Sequence, residues 1–256
     1  MHATTPWYLL PQFRPARLQD CVFWLEADSF NGGIWRNLAP NYSYTNHGTA
    51  NGGVGLNTWH PKYSPCPRFY GEDEYFRVSY HPSLDFWYDP FSIEVVMKTA
   101  YKTNYQGIVY HYHGKGYVLL TLKDTGKVKF TITTSEVESN SVVCDGELHH
   151  IIATRGPAPD YDVKIYIDRE LDATGTNDQR ATPNYDVDVG IGMYIEPYFG
   201  NYPFHGLIYL VRIYKDALTP AEVHHNFTHH PLYYLQRGID PYEVFTAATA
   251  AAAPSI

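Results

Sequence analysis

Carboxylates and imidazoles are the side chains through which this chain could do chemistry, and their spacing supports little of it. Retaining cleavage of a glycosidic bond needs two carboxyls roughly 5 Å apart. The acid-rich run Glu72-Asp73-Glu74 precedes a strand at a glycine turn, where solvated charge is the simpler explanation, and Glu94 stands alone with no acid at 92 or 96. His111-Tyr112-His113 sets two imidazoles on one face of a strand, while His224-His225 and His229-His230 crowd the C-terminal region. Zinc would need further ligands of known proximity. Surface histidines beside tyrosine are the plainer reading, so no metal and no cofactor are assigned. Nucleophile elbow, P-loop and dinucleotide fingerprint are all missing. The expectation is a protein that is not an enzyme.

The other chemistry-bearing residues are aromatic. The chain carries 24 tyrosines, and tyrosine joins an apolar ring to a polar tip, which suits sugar stacking and subunit contacts alike. Two glycine-containing segments concentrate them: residues 105–117, with Tyr110, Tyr112, His113 and Tyr117, and residues 194–205, with Tyr194, Tyr198 and Tyr202. These seven are the candidate ligand-binding residues. The same rings could instead cover a subunit interface, and both readings stay open.

The elements that must position these loops are strands. Along 91–99, Phe91, Ile93, Val95 and Met97 alternate with Ser92, Glu94 and Lys98, as a half-buried strand should. Val118, Leu120 and Leu122 repeat the pattern, Asp124-Thr125-Gly126 turns, and Val128, Phe130 and Ile132 return, which predicts a hairpin. Further strands are expected at 148–154, 163–168 and 207–214, with earlier ones near 21–26 and 74–80. One helix is predicted near 220–227, where Thr219-Pro220-Ala221-Glu222 forms a complete capping box. Many strands and almost no helix predict an all-β sandwich.

A net charge of -8, with no Lys/Arg cluster longer than two, removes the counterion release on which nucleic-acid binding depends. No stretch approaches the roughly 20 apolar residues of a membrane span, and no Sec-type signal is recognisable at the N-terminus. A chain of 256 residues buries a core without disulfide staples. Cys21 and Cys144 lie beside apolar runs and should be buried, whereas the prolines flanking Cys66 predict an exposed turn. Two sequons occur, Asn41-Tyr42-Ser43 and Asn226-Phe227-Thr228.

The order of segments resembles the concanavalin A-like lectin/glucanase superfamily, in its laminin-G-like, pentraxin-related branch. Cys21-Val22-Phe23-Trp24-Leu25 looks like its opening strand, and Trp35-Arg36-Asn37-Leu38 with Asn46-His47-Gly48-Thr49 resembles its first loop. Phe69-Tyr70-Gly71-Glu72-Asp73-Glu74-Tyr75 is similar to "F-D-G-x-D-D-Y", His81-Pro82-Ser83-Leu84-Asp85 to "S-P-S-L-D", and Phe91-Ser92-Ile93-Glu94 to "F-T-I-E". Asp145-Gly146-Glu147-Leu148-His149-His150 resembles "D-G-x-W-H-H", and Ile165-Tyr166-Ile167-Asp168 resembles "I-Y-V-D". Phe204-His205-Gly206-Leu207, Arg212-Ile213-Tyr214, Ala217-Leu218-Thr219 and Glu222 follow the closing motif. Each is weak alone; their shared order over roughly 20–227 is specific.

The resemblance implies a jelly roll of two antiparallel sheets. It also implies a calcium ion held by a loop aspartate and an aspartate of the closing strand, but Asn37 replaces the first and Tyr209-Leu210 the second. Calcium wants six to eight oxygens, several of them carboxylate, so that site is expected to be lost. The expected organisation is an N-terminal arm (1–17), a jelly roll (18–230) and a C-terminal arm (231–256). Trp7, Tyr8, Phe13, Tyr233, Tyr234, Tyr242 and Phe245 are the arm residues expected to contact other subunits. The functional expectation is a recognition or structural module of an extracellular or virion-type assembly, its partners copies of itself or other subunits. Glycan binding is the alternative, and glycoside hydrolysis a remote one.

Overall fold

Period-two alternation of apolar side chains gives each strand one face to bury, and here a long antiparallel ribbon of strands folds over to bury that face against itself. The computed structural model describes residues 13–42, 45–57, 66–194, 201–235 and 237–240. In chain order the strands are β1 (Cys21–Phe30), β2 (Ile34–Asn37), β3 (Gly48–Asn51), β4 (Gly55–Asn57), β5 (Cys66–Tyr70), β6 (Tyr75–Val78), β7 (Phe91–Lys98), β8 (Gln106–Tyr112) and β9 (Gly116–Thr121). They continue with β10 (Lys127–Ile132), β11 (Ser135–Val142), β12 (Leu148–Arg155), β13 (Asp162–Ile167), β14 (Glu170–Thr176), β15 (Val189–Ile191), β16 (Met193–Tyr194), β17 (Tyr202–Pro203) and β18 (His205–Tyr214). Two helices follow, α1 (Pro220–Thr228) and α2 (Pro231–Leu235); the second was not foreseen in the sequence.

Strand order β11-β10-β9-β8-β15-β6-β3-β2-β1-β18-β7-β12-β13-β14 runs as one hydrogen-bonded sheet. It forms two layers, because the inner residues of both halves share a single core. Phe23, Ile93, Val95, Ile151 and Val211 from β1, β7, β12 and β18 meet Phe76, Val109, Leu119, Phe130 and Ile191 from the other half. At the far edge β11 closes on β14, where Asp172 accepts from the Asn140 and Ser141 amides. This is the expected all-β jelly-roll sandwich.

A second apolar layer lies outside. The outer faces of β1, β18, β7, β12 and β13 carry Trp24, Leu210, Val96, Ile152 and Tyr166, and these pack with Leu218, Val223 and Leu232 around the C-terminal helices. α1 starts at the predicted capping box: Thr219 Oγ1 accepts from the Glu222 amide, and Glu222 Oε2 accepts from the Thr219 amide at 2.8 Å. The N-terminal segment clips the same helix. The Ala16 amide donates to Asn226 Oδ1 at 2.8 Å, Arg17 Nε donates to Glu222 Oε1 at 2.7 Å, and Phe13 is buried. Asn226 itself is buried, its Nδ2 donating to Glu94 and Tyr214, so the second sequon offers no amide to a glycosyltransferase in the folded chain.

The structure corrects the expected placement of Cys66 and of the β9 side chains. Cys66 is not in an exposed turn: it opens β5, which pairs with β4 and β18, and it is fully buried. In β9 the outward residues are Val118 and Leu120, whereas Tyr117 and Leu119 fill the inter-sheet core, so both faces of that strand are covered. All three cysteines are free and buried, and burial raises their thiol pKa values, that of Cys21 to about 12. Because the thiolate is the nucleophile, no thiol should react with an aromatic disulfide reagent in the native protein at pH 8. Three should appear on addition of denaturant; rapid labelling of the native form would refute the packing described.

Candidate functional site

β8 to β11 form a meander whose outer face carries the aromatic residues singled out in the sequence. Tyr110 pairs with Val118, Leu120 with Lys129, and Thr131 with Glu136, so these side chains form rows across the meander. Tyr110, Val118, Leu120 and Leu122 make an apolar floor on which Tyr112 packs. Over it lies a groove of about 340 Å³ lined by Tyr105, Tyr112, Val118, Leu120, Lys129, Thr131, Glu136 and Tyr202. The Tyr105 and Tyr202 rings meet edge to face at 5.4 Å. Lys129 Nζ donates to Glu136 Oε1 at 2.9 Å, leaving a neutral polar wall opposite the rings.

Two segments far apart in the sequence therefore contribute to one groove, through Tyr112 from 105–117 and Tyr202 from 194–205. Tyr110 lies beneath as floor. Tyr117 belongs elsewhere: it is fully buried in the core, with its hydroxyl donating to the Leu84 carbonyl. His113 sits beside the Tyr185 ring at 5.0 Å rather than lining the groove. Tyr194 is placed through its backbone, which pairs with Tyr202. Tyr198 lies outside the described residues, as do the arm residues Trp7, Tyr8, Tyr242 and Phe245. Phe13, Tyr233 and Tyr234, assigned to the arms, pack on their own chain: Phe13 is buried, and the Tyr233 ring meets Phe227 at 5.3 Å and Tyr234 at 5.2 Å. Sequence reasoning missed Lys129, Thr131 and Glu136, which only the strand register brings alongside Tyr112.

A second group of chemistry-bearing side chains lies sealed beneath the C-terminal helices. Arg212 Nη1 approaches both Glu94 oxygens at 3.4 and 3.5 Å, and its Nη2 approaches Glu26 Oε2 at 3.5 Å. Glu94 also takes contacts from His150 Nε2 at 2.8 Å, the Tyr214 hydroxyl at 2.5 Å and Asn226 Nδ2 at 3.0 Å. Glu26 receives Trp24 Nε1 at 3.0 Å and His230 Nε2 at 3.3 Å. Burial alone would raise the Glu94 pKa, but Arg212, His150 and Tyr214 outweigh it and hold the group down at about 2. Glu94 is thus not isolated, as its neighbours in sequence suggest. Glu26 and Asp28, alternating acids on β1, were overlooked; Asp28 is pushed up to about 8 by burial and by the Glu26 charge. A raised carboxyl beside a second acid is a common electrostatic mark of acid–base sites. Here, however, Glu26 is fully buried and engaged by Trp24, Arg212 and His230, so its own carboxylate is not open to a substrate.

The described histidines lie in different surroundings. His111, expected at the surface, is buried against Tyr117, and burial lowers its pKa to about 4. His225 and His229 stack at 4.0 Å. Among the described residues no three His, Cys, Asp or Glu side chains converge as a metal site. Nor do the residues at the expected calcium loop suit that ion. Asn37 Oδ1 accepts from the Trp24 and Ala39 amides, at 2.9 and 3.1 Å, which orients its Nδ2 as a donor toward the Tyr42 and Thr45 carbonyls, each at 3.3 Å. An amide donor therefore faces these two carbonyls where the resemblance expects a carboxylate, and the closing-strand positions are the buried side chains Tyr209 and Leu210.

Comparisons with known proteins agree with this architecture. Among solved structures, the binding domain of paraclostridial mosquitocidal protein 1 superposes with a TM-score of 0.63 at 18% identity, covering 85% of this chain and 53% of that one. Botulinum neurotoxin type C, described as depending on interaction with two ganglioside molecules for entering cells, gives 0.61 at 13% identity, covering 83% of this chain and 51% of that one. The binding domain of botulinum neurotoxin DC in complex with rat synaptotagmin II gives 0.61 at 15%, covering 84% and 52%. The chain spans about half the length of these structures, and at such identities the likeness establishes the fold. No curated protein sequence matches the chain. A laminin-G family model, described as concanavalin A-like lectin/glucanases superfamily, matches residues 71–224, more than half of the chain. With the jelly roll and the ordered motifs already described, the chain belongs to the concanavalin A-like lectin/glucanase superfamily.

Proposed function

We propose that the chain is a non-catalytic recognition module that binds a saccharide in the groove between Tyr105, Tyr112 and Tyr202. The observation that carries this reading is the convergence of two aromatic segments over a floor of Val118 and Leu120, with Lys129, Thr131 and Glu136 supplying polar groups along one wall. Sugar rings present apolar C–H faces and hydroxyl edges, and a groove with rings on one side and a neutral ion pair on the other matches both. A volume of about 340 Å³ suits one or two sugar units. An extracellular place of action fits this reading and the toxin binding domains that share the fold. Self-association through the terminal arms has less support, since Phe13, Tyr233 and Tyr234 are engaged within their own chain.

A glycan array followed by calorimetry on the best ligand tests the proposal. The Tyr112→Ala and Tyr202→Ala double variant should lose binding by at least tenfold, about 1.4 kcal/mol, while its melting temperature stays close to that of the parent. Silence across the array, or affinity unchanged by the double variant, would remove the groove from consideration.

A further inference from the structure

A second hollow of about 490 Å³ opens on the outer face of the other layer, where β5, β18 and β7 lie side by side. Leu207 of β18 pairs with Arg68 of β5 on one flank and with Lys98 of β7 on the other. Paired residues of neighbouring antiparallel strands face the same way, so the two cations stand either side of a leucine with their Cα atoms about 10 Å apart, two strand spacings. Both are exposed, and neither makes an ion pair with a carboxylate of the described residues. Two cations that face each other across one hollow with no carboxylate partner among the described residues are unexpected in a chain of net charge -8. The Arg68 guanidinium lies over the Tyr70 ring at 5.2 Å, a contact that fixes its plane through one face. Its N–H edges are left for an oxyanion, which a guanidinium fork matches in geometry.

The rest of the hollow is built to hold its shape. Tyr101 and His205 form one side, their rings 5.0 Å apart. Buried Gln106 ties the two segments together: its Nε2 donates to the Tyr101 carbonyl at 2.6 Å and its Oε1 accepts from the His205 amide at 2.8 Å. Thr99 adds a second tie, its hydroxyl donating to the His205 carbonyl at 2.6 Å and accepting from the Tyr101 amide at 3.1 Å. Gly206 lets β18 run close against β7, because a Cβ there would come within 2.3 Å of the Lys98 carbonyl oxygen. A rigid hollow with an apolar centre, ring-bearing wall and few polar anchors is the usual form of a small-ligand site.

We infer that this hollow binds an acidic saccharide, a sugar ring carrying a carboxylate or a sulfate, with Arg68 and Lys98 holding the oxyanion and Tyr101 with His205 covering the ring. The inference does not rest on the aromatic groove, and variants separate the two sites. Calorimetric titration of the full chain with glucuronic acid and with N-acetylglucosamine 6-sulfate, at low and high sodium chloride, is the test; N-acetylglucosamine and inorganic sulfate are the controls. At least one acidic sugar should bind, more weakly as salt rises. The Arg68→Gln and Lys98→Gln double variant should weaken it tenfold or more at unchanged melting temperature, and Tyr112→Ala with Tyr202→Ala should leave it intact. Preference for the carboxylate or the sulfate identifies which oxyanion the site takes. Absence of binding by both acidic sugars, binding indifferent to the Arg68 and Lys98 changes, or inorganic sulfate binding as well as either sugar would each overturn the inference.

Discussion

Replacing Arg212 by methionine should cost about 3–5 kcal/mol of folding stability at pH 7, read from urea unfolding, because it strands two buried carboxylates. Arg212 is the one guanidinium between Glu26 and Glu94, and all three side chains are essentially unexposed. Its plane is also sandwiched on the Trp24 ring, 4.7 Å from the centroid. Methionine retains part of that packing volume and removes the charge, so the loss reports electrostatics more than cavity formation. A second substitution checks the assignment: adding Glu94→Gln to Arg212→Met removes one of the stranded charges and should recover part of the loss. The pH dependence follows from the depressed Glu94 pKa. A carboxyl held near 2 when folded and near its ordinary value when unfolded contributes stability that is complete above the unfolded value and is lost as pH falls toward 2. The parent should therefore lose stability between about pH 4.5 and 2, and the double variant should show a flatter slope there. A loss under about 1 kcal/mol for Arg212→Met would mean that the carboxylates reach solvent or other partners.

That cluster also marks where sequence reading stops. The alternation in β7 assigned Phe91, Ile93, Val95 and Met97 to one side and Glu94 to the other, and all of these placements hold. Alternation tells which side a residue takes. It does not tell whether that side is covered, and here α1 and α2 cover it. Glu94 finds its partners 56 to 132 residues away, in β12, β18 and α1, at separations where no local pattern operates. The same limit explains Cys66, whose prolines suggested a turn while pairing with β18 placed it inside, and Tyr117, whose loop neighbours suggested a binding surface. The capping box was legible because its two hydrogen bonds span three residues. The family was legible because motif order survives where any single motif is ambiguous. The groove was half legible: tyrosine density pointed to Tyr112 and Tyr202, but Lys129 and Glu136 joined them only through the register of β9, β10 and β11.

Asp28→Asn should stabilise the protein by roughly 2–4 kcal/mol at pH 7. Asp28 stands near the end of β1 with its Oδ1 buried and without a hydrogen-bond partner. Burial, reinforced by the Glu26 charge two residues earlier, raises its pKa to about 8. At pH 7 the folded chain therefore carries this group protonated while the unfolded chain carries it ionised, so folding takes up a proton. Stability from this group increases as pH falls from about 8 to its ordinary value near 4, the opposite direction to Glu94. The ceiling at pH 7, about three pH units at ~1.4 kcal/mol each, is near 4 kcal/mol. Asparagine keeps the shape and never ionises, so its advantage should be largest at pH 8 and vanish near pH 4. Urea midpoints of parent and variant at pH 4, 6 and 8 measure it. A gain independent of pH would point to better hydrogen bonding by the amide instead. No gain would show that the parent carboxylate is ionised and solvated at neutral pH, and that Glu26 and Asp28 do not share a desolvated site.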